Sequence, residues 1–311
     1  ITAKALSVSG LSTANKIYDG TVSAKLVGTA ELLAPSAAGA GDSNDGKAYE
    51  GDDIGVSQSS ATAAFGDKNV GSGKTVSFLG LSLSGDDASN YSLSDHDDAT
   101  ASITAKALSV SAPGISDKIY DGTKSAGSVT PGDLSGFVGN ETVTATASAT
   151  ALIGTDIGDY KTTVRYTLVD GANGGLAGNY TLANTADVEA RITAKALSVS
   201  GLSTANKIYD GTVSAKLVGT AELLAPSAAG AGDSNDGKAY EGDDIGVSQS
   251  SATAAFGDKN VGSGKTVSFS DLSLSGTNAS NYSLSAHAAA TASITAKALS
   301  VSGLSTANKI Y

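Results

Sequence analysis

The chain has 311 residues, a formal net charge of −11 and no Cys, Met or Trp. The length is enough for two or three domains, and no stretch approaches the roughly eighteen apolar residues of a membrane span. The negative charge argues against nucleic acid as a partner, because its recognition needs clustered Lys and Arg. The absence of Cys excludes disulfides and thiolate metal sites. Because Met is absent, we expect the sequence to be a segment of a longer chain.

The sequence repeats itself with a period near one hundred residues. The string ITAKALSVS begins four times, at Ile1, Ile103, Ile192 and Ile294. It defines a first repeat (1–102), a second repeat (103–191), a third repeat (192–293) and the start of a further repeat (294–311). The first and third repeats differ at only seven positions, all within residues 79–98 of the first. This period is typical of small domains in tandem and is too long for a solenoid.

Each repeat predicts short strands separated by turns. In chain order, the first repeat offers the alternating run ALSVSGL, the hexamer KIYDGT, a loop APSAAGAGDSNDGKAYE and the alternating run KTVSFLGLSLSG. A short helical turn is predicted at residues 86–91, and no segment has a sustained helical period. The pattern predicts an all-β chain of tandem small domains, and both β-sandwich and β-grasp-like packing suit it.

The hexamer KIYDGT occurs once in each repeat and predicts a strand that enters a tight turn. Asp-Gly is a strong turn signal, because Gly tolerates positive φ and Asp bonds its own backbone. We therefore interpret the motif as a structural corner. Its members are Tyr18, Asp19 and Gly20, then Tyr120, Asp121 and Gly122, and finally Tyr209, Asp210 and Gly211.

The boundaries between repeats contain no flexible linker. From Ala99 the sequence reads ATASITAKALSVSG, without the Gly/Ser-rich or Pro-rich composition of a linker. Strand is predicted to follow strand almost directly. We therefore expect the domains to stand end to end as an extended rod, with neighbouring repeats of the same chain as partners.

An acidic loop in the long repeats is a candidate calcium site, since calcium takes six to eight oxygen ligands. The candidate ligands are Asp42, Asn44, Asp45, Glu50, Asp52 and Asp53, with counterparts at Asp233, Asn235, Asp236, Glu241, Asp243 and Asp244. The spacing matches an EF-hand loop only in part, and a solvated acidic loop is the alternative. No other cofactor is predicted.

Other chemistry is poorly supported by the sequence. His96 and His287 occupy one position in two copies, and the three Asp beside His96 become Ala in the other copy, so no catalytic site is predicted. Five Asn fit the glycosylation pattern N-x-S/T, at Asn90, Asn140, Asn179, Asn278 and Asn281. The best surface aromatics for a binding patch are Tyr49 and Tyr240.

The motifs ITAKALSVSG, NKIYDGT, GDDIGVS, ATAAFGDKNVGSGKTVSF and NYSL resemble the YDG-type repeat, a relative of the MBG repeats. These repeats occur in large secreted bacterial adhesins of the filamentous-haemagglutinin type. The resemblance covers the whole chain, and the middle of the second repeat, with GTDIGDYKTT, is the most divergent part. It implies an extracellular or cell-surface location and a structural role rather than catalysis.

Three functions remain open at this point. The repeats could form a rigid stalk, or associate with copies of themselves through sheet edges into a fibre or biofilm matrix, or act as a repeated carbohydrate- or protein-binding module. A binding module requires an exposed aromatic patch in each repeat, and the sequence offers few residues for one.

Overall fold

The computed structural model of the chain describes residues 1–39, 42–94, 98–230 and 234–311. Strands make up 51% of the structure, which confirms the predicted all-β class. Within these ranges the helices are three single 3-10 turns, Ala88–Asn90, Ala177–Asn179 and Ala279–Asn281. The first of them confirms the helical turn predicted at residues 86–91. No helix in the described ranges has the length and apolar character needed to cross a membrane.

Strands β1 to β12 lie in residues 4–104. They are β1 (Lys4–Leu6), β2 (Val8–Thr13), β3 (Lys16–Ile17), β4 (Ser23–Ala24), β5 (Leu26–Ser36), β6 (Lys47–Tyr49), β7 (Gly55–Ser57), β8 (Thr62–Phe65), β9 (Gly71–Leu79), β10 (Ser82–Ser84), β11 (Tyr91–Leu93) and β12 (Ala99–Thr104). Part of the predicted surface loop is therefore strand, because β5 runs into it and β6 ends it.

Strands β13 to β21 lie in residues 106–193. They are β13 (Lys106–Val110), β14 (Gly114–Ile115), β15 (Lys118–Ile119), β16 (Val129–Thr130), β17 (Leu134–Ser135), β18 (Val143–Ala149), β19 (Gly158–Asp170), β20 (Tyr180–Leu182) and β21 (Thr185–Thr193). Only Ala105 separates β12 from β13, so no flexible linker joins the first two repeats.

Strands β22 to β33 repeat the arrangement of the first twelve. They are β22 (Lys195–Leu197), β23 (Val199–Thr204), β24 (Lys207–Ile208), β25 (Ser214–Ala215), β26 (Leu217–Ser227), β27 (Lys238–Tyr240), β28 (Gly246–Ser248), β29 (Thr253–Phe256), β30 (Gly262–Ser270), β31 (Ser273–Ser275), β32 (Tyr282–Leu284) and β33 (Ala290–Thr295). The residues after β33 form no strand.

The chain divides into two compact units whose bounds differ from those of the sequence repeats. Unit 1 comprises residues 1–113, 131–148 and 164–185, and unit 2 comprises residues 114–130, 149–163 and 186–311. The second repeat therefore contributes residues to both units, and strands β18, β19 and β21 have residues in each.

Unit 1 is built on a five-stranded sheet of order β3-β12-β9-β8-β4. Two three-stranded sheets, β2-β5-β6 and β17-β13-β20, and the pairs β1–β11 and β7–β10 complete it. Alternation along β9 buries Val76 and Phe78 on one face, as the period of two requires. These two side chains share a core with Ile103 of the first sheet and with Val143 and Tyr180 of the second repeat. The core of unit 1 therefore includes residues of both repeats.

Unit 2 repeats this plan with a five-stranded sheet of order β24-β33-β30-β29-β25 and a three-stranded sheet β23-β26-β27. Its pairs are β14–β16, β22–β32 and β28–β31, and β15 pairs with β21. One core contains Tyr120 and Ile192 together with Leu197, Tyr240 and Tyr282. Residues of the second and third repeats are thus buried together in unit 2.

The string ITAK is divided between two repeats in the structure. Ile103 and Thr104 pair in parallel with Lys16 and Ile17 of the first repeat. The following residues, 106–108, pair in parallel with β20 of the second repeat. The same division occurs at residues 192–197 within unit 2. The string therefore ends one sheet and begins the next, which explains why it has the character of continuous strand.

A close backbone approach in the β2–β5 pair requires glycine. The register shifts between Ser9 and Leu11, where Gly10 faces Gly28. Gly28 has φ of +90°, and a Cβ there would lie 2.1 Å from the carbonyl oxygen of Gly10. Gly51 has a similar φ of +94° with no atom within 4 Å of the Cβ position. The two positions share backbone strain and differ in steric overlap.

We expect Gly28→Ala to destabilise unit 1 more than Gly51→Ala. Positive φ alone costs a non-glycine residue about 1–2 kcal/mol, and overlap adds about 1–3 kcal/mol. Urea unfolding of the two variants measures the difference. Equal losses of unfolding free energy in the two variants would contradict this expectation, because they would mean that β2 and β5 move apart at Gly28 without cost.

Candidate functional site

The lysine of KIYDGT closes the turn that the motif forms. The Lys16 ammonium donates to the Asp19 carboxylate at 2.7 Å and to the carbonyl oxygens of Thr21 and Ser23 at 2.7 and 2.8 Å. Asp19 also accepts from the Thr21 N–H at 2.9 Å. Gly20 has φ of +79°, a conformation that glycine adopts without strain. Lys118 and Lys207 make the corresponding bonds in the other two copies.

The corner directs a tyrosine toward a buried carboxylate of the second repeat. The Tyr18 hydroxyl donates to Glu141, with its oxygen 2.8 and 2.9 Å from the two carboxylate oxygens. Tyr180 donates to the same carboxylate at 2.7 Å, and the Lys68 ammonium donates at 2.6 Å. Glu141 is only 7% exposed. The carboxylate thus has three side-chain donors, which come from both repeats, and the Lys68 ammonium balances its charge. A buried charge needs such partners, because burying it alone is costly.

The rings and an asparagine complete the contact in unit 1. Tyr18 and Tyr180 pack edge to face, with ring centroids 5.5 Å apart. The Asn179 side chain accepts from the Val70 N–H at 2.9 Å and donates to the Asn69 side chain at 3.0 Å. The 3-10 turn before β20 positions this asparagine beside Tyr180. Polar bonds and apolar packing thus act together at the junction of the first two repeats.

Unit 2 contains the same junction with different residues. The Tyr120 hydroxyl donates to Asp243 at 3.0 Å, and Tyr282 donates to the same carboxylate at 2.6 Å. The Tyr120 ring packs edge to face on Tyr282, with centroids 5.3 Å apart. Asn281 accepts from the Ile157 N–H at 2.9 Å and donates to Asp156 at 2.8 Å. Aspartate therefore replaces glutamate, and the lysine of the first junction has no counterpart among these contacts.

The pKa values of the junction groups follow from these contacts. Burial tends to raise the pKa of Glu141, but hydrogen bonds from Lys68, Tyr180 and Tyr18 outweigh it and lower that pKa. Burial and the Glu141 carboxylate raise the pKa of the Tyr18 hydroxyl. Burial and Asp243 raise the pKa of Tyr120 in the same way. Glu141 therefore stays ionised, and each tyrosine stays a hydrogen-bond donor.

The carboxylates of the acidic loop take part in separate structural contacts. Asp45 forms an ion pair with Lys4 at 2.9 Å, and Asp236 pairs with Lys195 at 2.7 Å. Asp52 accepts from the Tyr91 hydroxyl, as Asp243 does from Tyr282.

The other candidate ligands have local roles or exposed positions. Asp42 accepts from the Asn44 N–H, Asp53 from the Asp86 N–H and Asp244 from the Thr277 N–H, while Glu50 and Glu241 are exposed. Asp233 lies outside the described residues. Among the described residues, no three His, Asp or Glu side chains lie close enough to hold a metal ion. Calcium binding stays a prediction.

Several other predicted positions have a different setting from the one expected. Tyr240 is 3% exposed, so the prediction of a surface aromatic there is wrong, because β27 packs its ring into the core of unit 2. Asn179 and Asn281, which fit the N-x-S/T pattern, are buried and donate their amide N–H groups to Asn69 and Asp156. His287 packs against Phe269, and His96 lies outside the described residues.

Comparison with known sequences identifies the family. The YDG domain matches residues 2–101, 104–187 and 193–292. The chain belongs to the YDG domain family. No curated protein and no solved structure matches the chain significantly. The three YDG domains are tandem repeats, and the Tyr of the motif that gives the family its name is the residue that reaches the next domain at both junctions described above.

Sequence reasoning missed most residues of the YDG junction. It singled out the Tyr, Asp and Gly of each motif but not Lys16, which closes the turn. Glu141 and Asn179 were not connected with Tyr18, because they lie 123 or more residues further along the chain. The recurring pair Asn-Tyr before Ser or Thr was the available signal. It marks the receiving side of the junction in the second and third YDG domains.

We expect Tyr18→Phe and Tyr209→Phe to differ in effect, although both change the same motif position. Tyr18 donates to a buried carboxylate, and loss of such a bond costs about 1–3 kcal/mol. No described residue bonds to the Tyr209 hydroxyl, so that change should cost less than about 0.5 kcal/mol. Urea unfolding of the full chain measures both. A similar loss in the two variants would contradict a junction role for Tyr18.

The turn aspartates should make stability fall in acid. A hydrogen bond from Lys207 and bonds from Thr212 lower the pKa of Asp210 from 3.8 to about 2. A lowered folded-state pKa contributes stability above the unfolded value, and this is lost as pH falls through the folded value. The loss should therefore occur between about pH 4 and pH 2. Asp210→Asn should flatten this part of the curve of stability against pH. Asp159→Asn, at a carboxylate that is 86% exposed, is the control and should leave the slope unchanged.

Proposed function

We propose that the chain is a structural segment of a bacterial cell-surface adhesin, in which tandem YDG domains form a rigid stalk. The supporting observation is the junction at Glu141, where one buried carboxylate accepts hydrogen bonds from Tyr18, Lys68 and Tyr180. Bending at this junction would break bonds to a buried charge and expose the ring contact. Such a change costs several kcal/mol, on the order of 3–5 for one lost partner of a buried charge.

The proposed role is structural because the polar groups of the junction bond to one another. Glu141 and Asp243 are held by tyrosine hydroxyls, and the turn aspartates are held by lysines. An array joined in this way suits a spacer that holds another part of the protein away from the cell. The extracellular location belongs to the same proposal and rests on the resemblance to secreted adhesins.

The extended rod is part of this proposal. A compact globule of this length would have a radius of gyration of about 19 Å. Three domains of about 40 Å each, placed end to end, would give a rod of about 120 Å with a radius of gyration above about 30 Å. Small-angle X-ray scattering distinguishes the two. A radius near that of the globule would remove the basis of the spacer role.

Glu141→Ala tests whether the junction provides the stiffness. It leaves two tyrosine hydroxyls and a lysine without their shared acceptor, so we expect a broader distance distribution and a smaller maximum dimension. Glu50→Ala, at an exposed position in the first repeat, is the control and should scatter like the parent chain. An unchanged distribution in Glu141→Ala would assign the stiffness to the continuous ITAK strands instead.

A further inference from the structure

One strand of the second repeat has an unpaired edge. β18 lies at the end of the sheet of order β15-β21-β19-β18, so within this sheet it pairs only with β19. It is seven residues long, reads VTATASA and contains no charged residue and no proline. The second repeat has a full YDG domain on each side, so this edge is a property of an internal repeat. Such an edge can accept a further strand, because its outward N–H and C=O groups have no partner.

The other edge strands in the described part of the chain are short or irregular. They have three residues or fewer, apart from β2 and β23. These two have six residues each, but their registers shift at Gly10 and Gly201. Short strands and bulges are two of the ways in which proteins keep their sheet edges from pairing with another chain. β18 is therefore the longest edge strand that the structure describes.

The long repeats cover the corresponding edge with an added strand. β4 pairs with β8 in the first repeat, and β25 pairs with β29 in the third. In the second repeat Ser125 and Ala126 follow KIYDGT at the distance at which β4 follows it in the first, but they form no strand. The edge of β18 is therefore unpaired only in the short type of repeat.

The direction of the hydrogen bonds identifies the free backbone groups of β18. Just beyond the strand, the Thr150 N–H donates to the Thr163 carbonyl oxygen at 2.9 Å. Successive residues of a strand direct their N–H and C=O groups to opposite sides, so those of Ala145 and Ala147 point away from β19. In the described ranges no hydrogen bond reaches these outward groups. They can therefore pair with an incoming strand while the bonds to β19 remain.

The side chains of β18 suit pairing with an identical strand. Thr144, Thr146 and Ser148 are exposed on one face, and Ala145 and Ala147 are half-buried on the other. Hydroxyl side chains that face each other across antiparallel strands form favourable pairs, and alanines are too small to collide. Each copy has a net charge of −11, yet the uncharged strand brings no like charges directly opposite each other.

We propose that β18 pairs antiparallel with β18 of a second copy of this chain. Thr146 is the middle residue of the strand, and it faces Thr146 of the second copy across the two-fold axis. Thr144 then faces Ser148, and Ala145 faces Ala147. All seven residues are paired in this register, which gives about eight backbone hydrogen bonds. The two sheets become one sheet that continues from one molecule into the other.

This pairing closes on itself, because the same strand serves both partners. Such an isologous contact ends at the dimer. The proposal goes beyond the stalk role and does not rest on it. In an extended chain the contact joins two stalks side by side at their second repeats, whereas a compact chain would pair through the same strand.

Sedimentation velocity of the full chain from about 10 μM to about 1 mM tests for the dimer over the range of weak affinities. We expect the mean mass to rise from 30.4 kDa toward twice that value and no further. Thr146→Lys and Thr146→Glu should each weaken association by about tenfold or more, because like charges then meet on the two-fold axis. Thr75→Lys, at an exposed residue of the central strand β9, is the control and should associate like the parent.

A mixture of the two charged variants gives the sharpest result. The lysine of one variant faces the glutamate of the other across the axis, so the mixture should form a one-to-one dimer although each variant alone does not. A parent chain that stays monomeric throughout, growth beyond the dimer, or a mixture that stays monomeric would overturn the proposal. Unchanged thermal unfolding of both variants excludes misfolding as the cause.

The register can be tested directly, since the chain contains no Cys. Thr146→Cys should form a disulfide-linked dimer under mild oxidation, because facing residues in this register have Cα atoms about 4.5 Å apart, which a disulfide can bridge. Thr144→Cys lies on the same face, but its two copies are four residues apart along the strands, or about 13 Å. It should cross-link about tenfold or more slowly than Thr146→Cys. Equal rates for the two variants would overturn the proposed pairing.

Discussion

The rest of the array depends on a carboxylate that accepts hydrogen bonds from two tyrosines. This carboxylate is buried at Glu141 and half-buried at Asp243. At Glu141 and at Asp243, one tyrosine comes from the KIYDGT corner of one repeat and the other from the Asn-Tyr pair of the next. The charge would be costly to bury alone, and the hydroxyls would be costly to bury without an acceptor. Each repeat therefore supplies the hydrogen-bonding partner that allows the carboxylate or the tyrosine hydroxyl of its neighbour to be buried.

This dependence also explains how repeats with so few aromatic residues can form a core. Aromatic residues are only 5% of the chain, and the apolar cores of the two units each include side chains from two repeats. A small domain buries a limited fraction of its surface. Sharing a core across the junction enlarges the buried area without adding residues. The stability of one repeat thus depends on its neighbour.

The sequence alone was sufficient to predict the fold class and the local turns. Alternation predicted the strands, and Asp-Gly predicted the corner at Gly20, where φ is +79°. It was not sufficient for the junction, because hydrogen bonds across 123 residues leave no periodic pattern. Tyr240 shows the same limit: its ring is buried by contacts that lie far away in the sequence. Asn90 and Asn281 have identical neighbours in sequence and differ in burial, so no local rule could have separated them.

The division of ITAK between two sheets has a consequence for how such a protein changes in evolution. Recombination between two ITAK segments removes or adds one whole period, and the new joint still ends one sheet and begins the next. The corner and its acceptor then meet as before, whichever copies have become neighbours. A long and a short repeat can follow one another in either order, because two different acceptors bind the tyrosine. The acceptor is Glu141, with Lys68 beside it, at one junction and Asp243 at the other. The length of the array can therefore vary between generations while every joint keeps its chemistry.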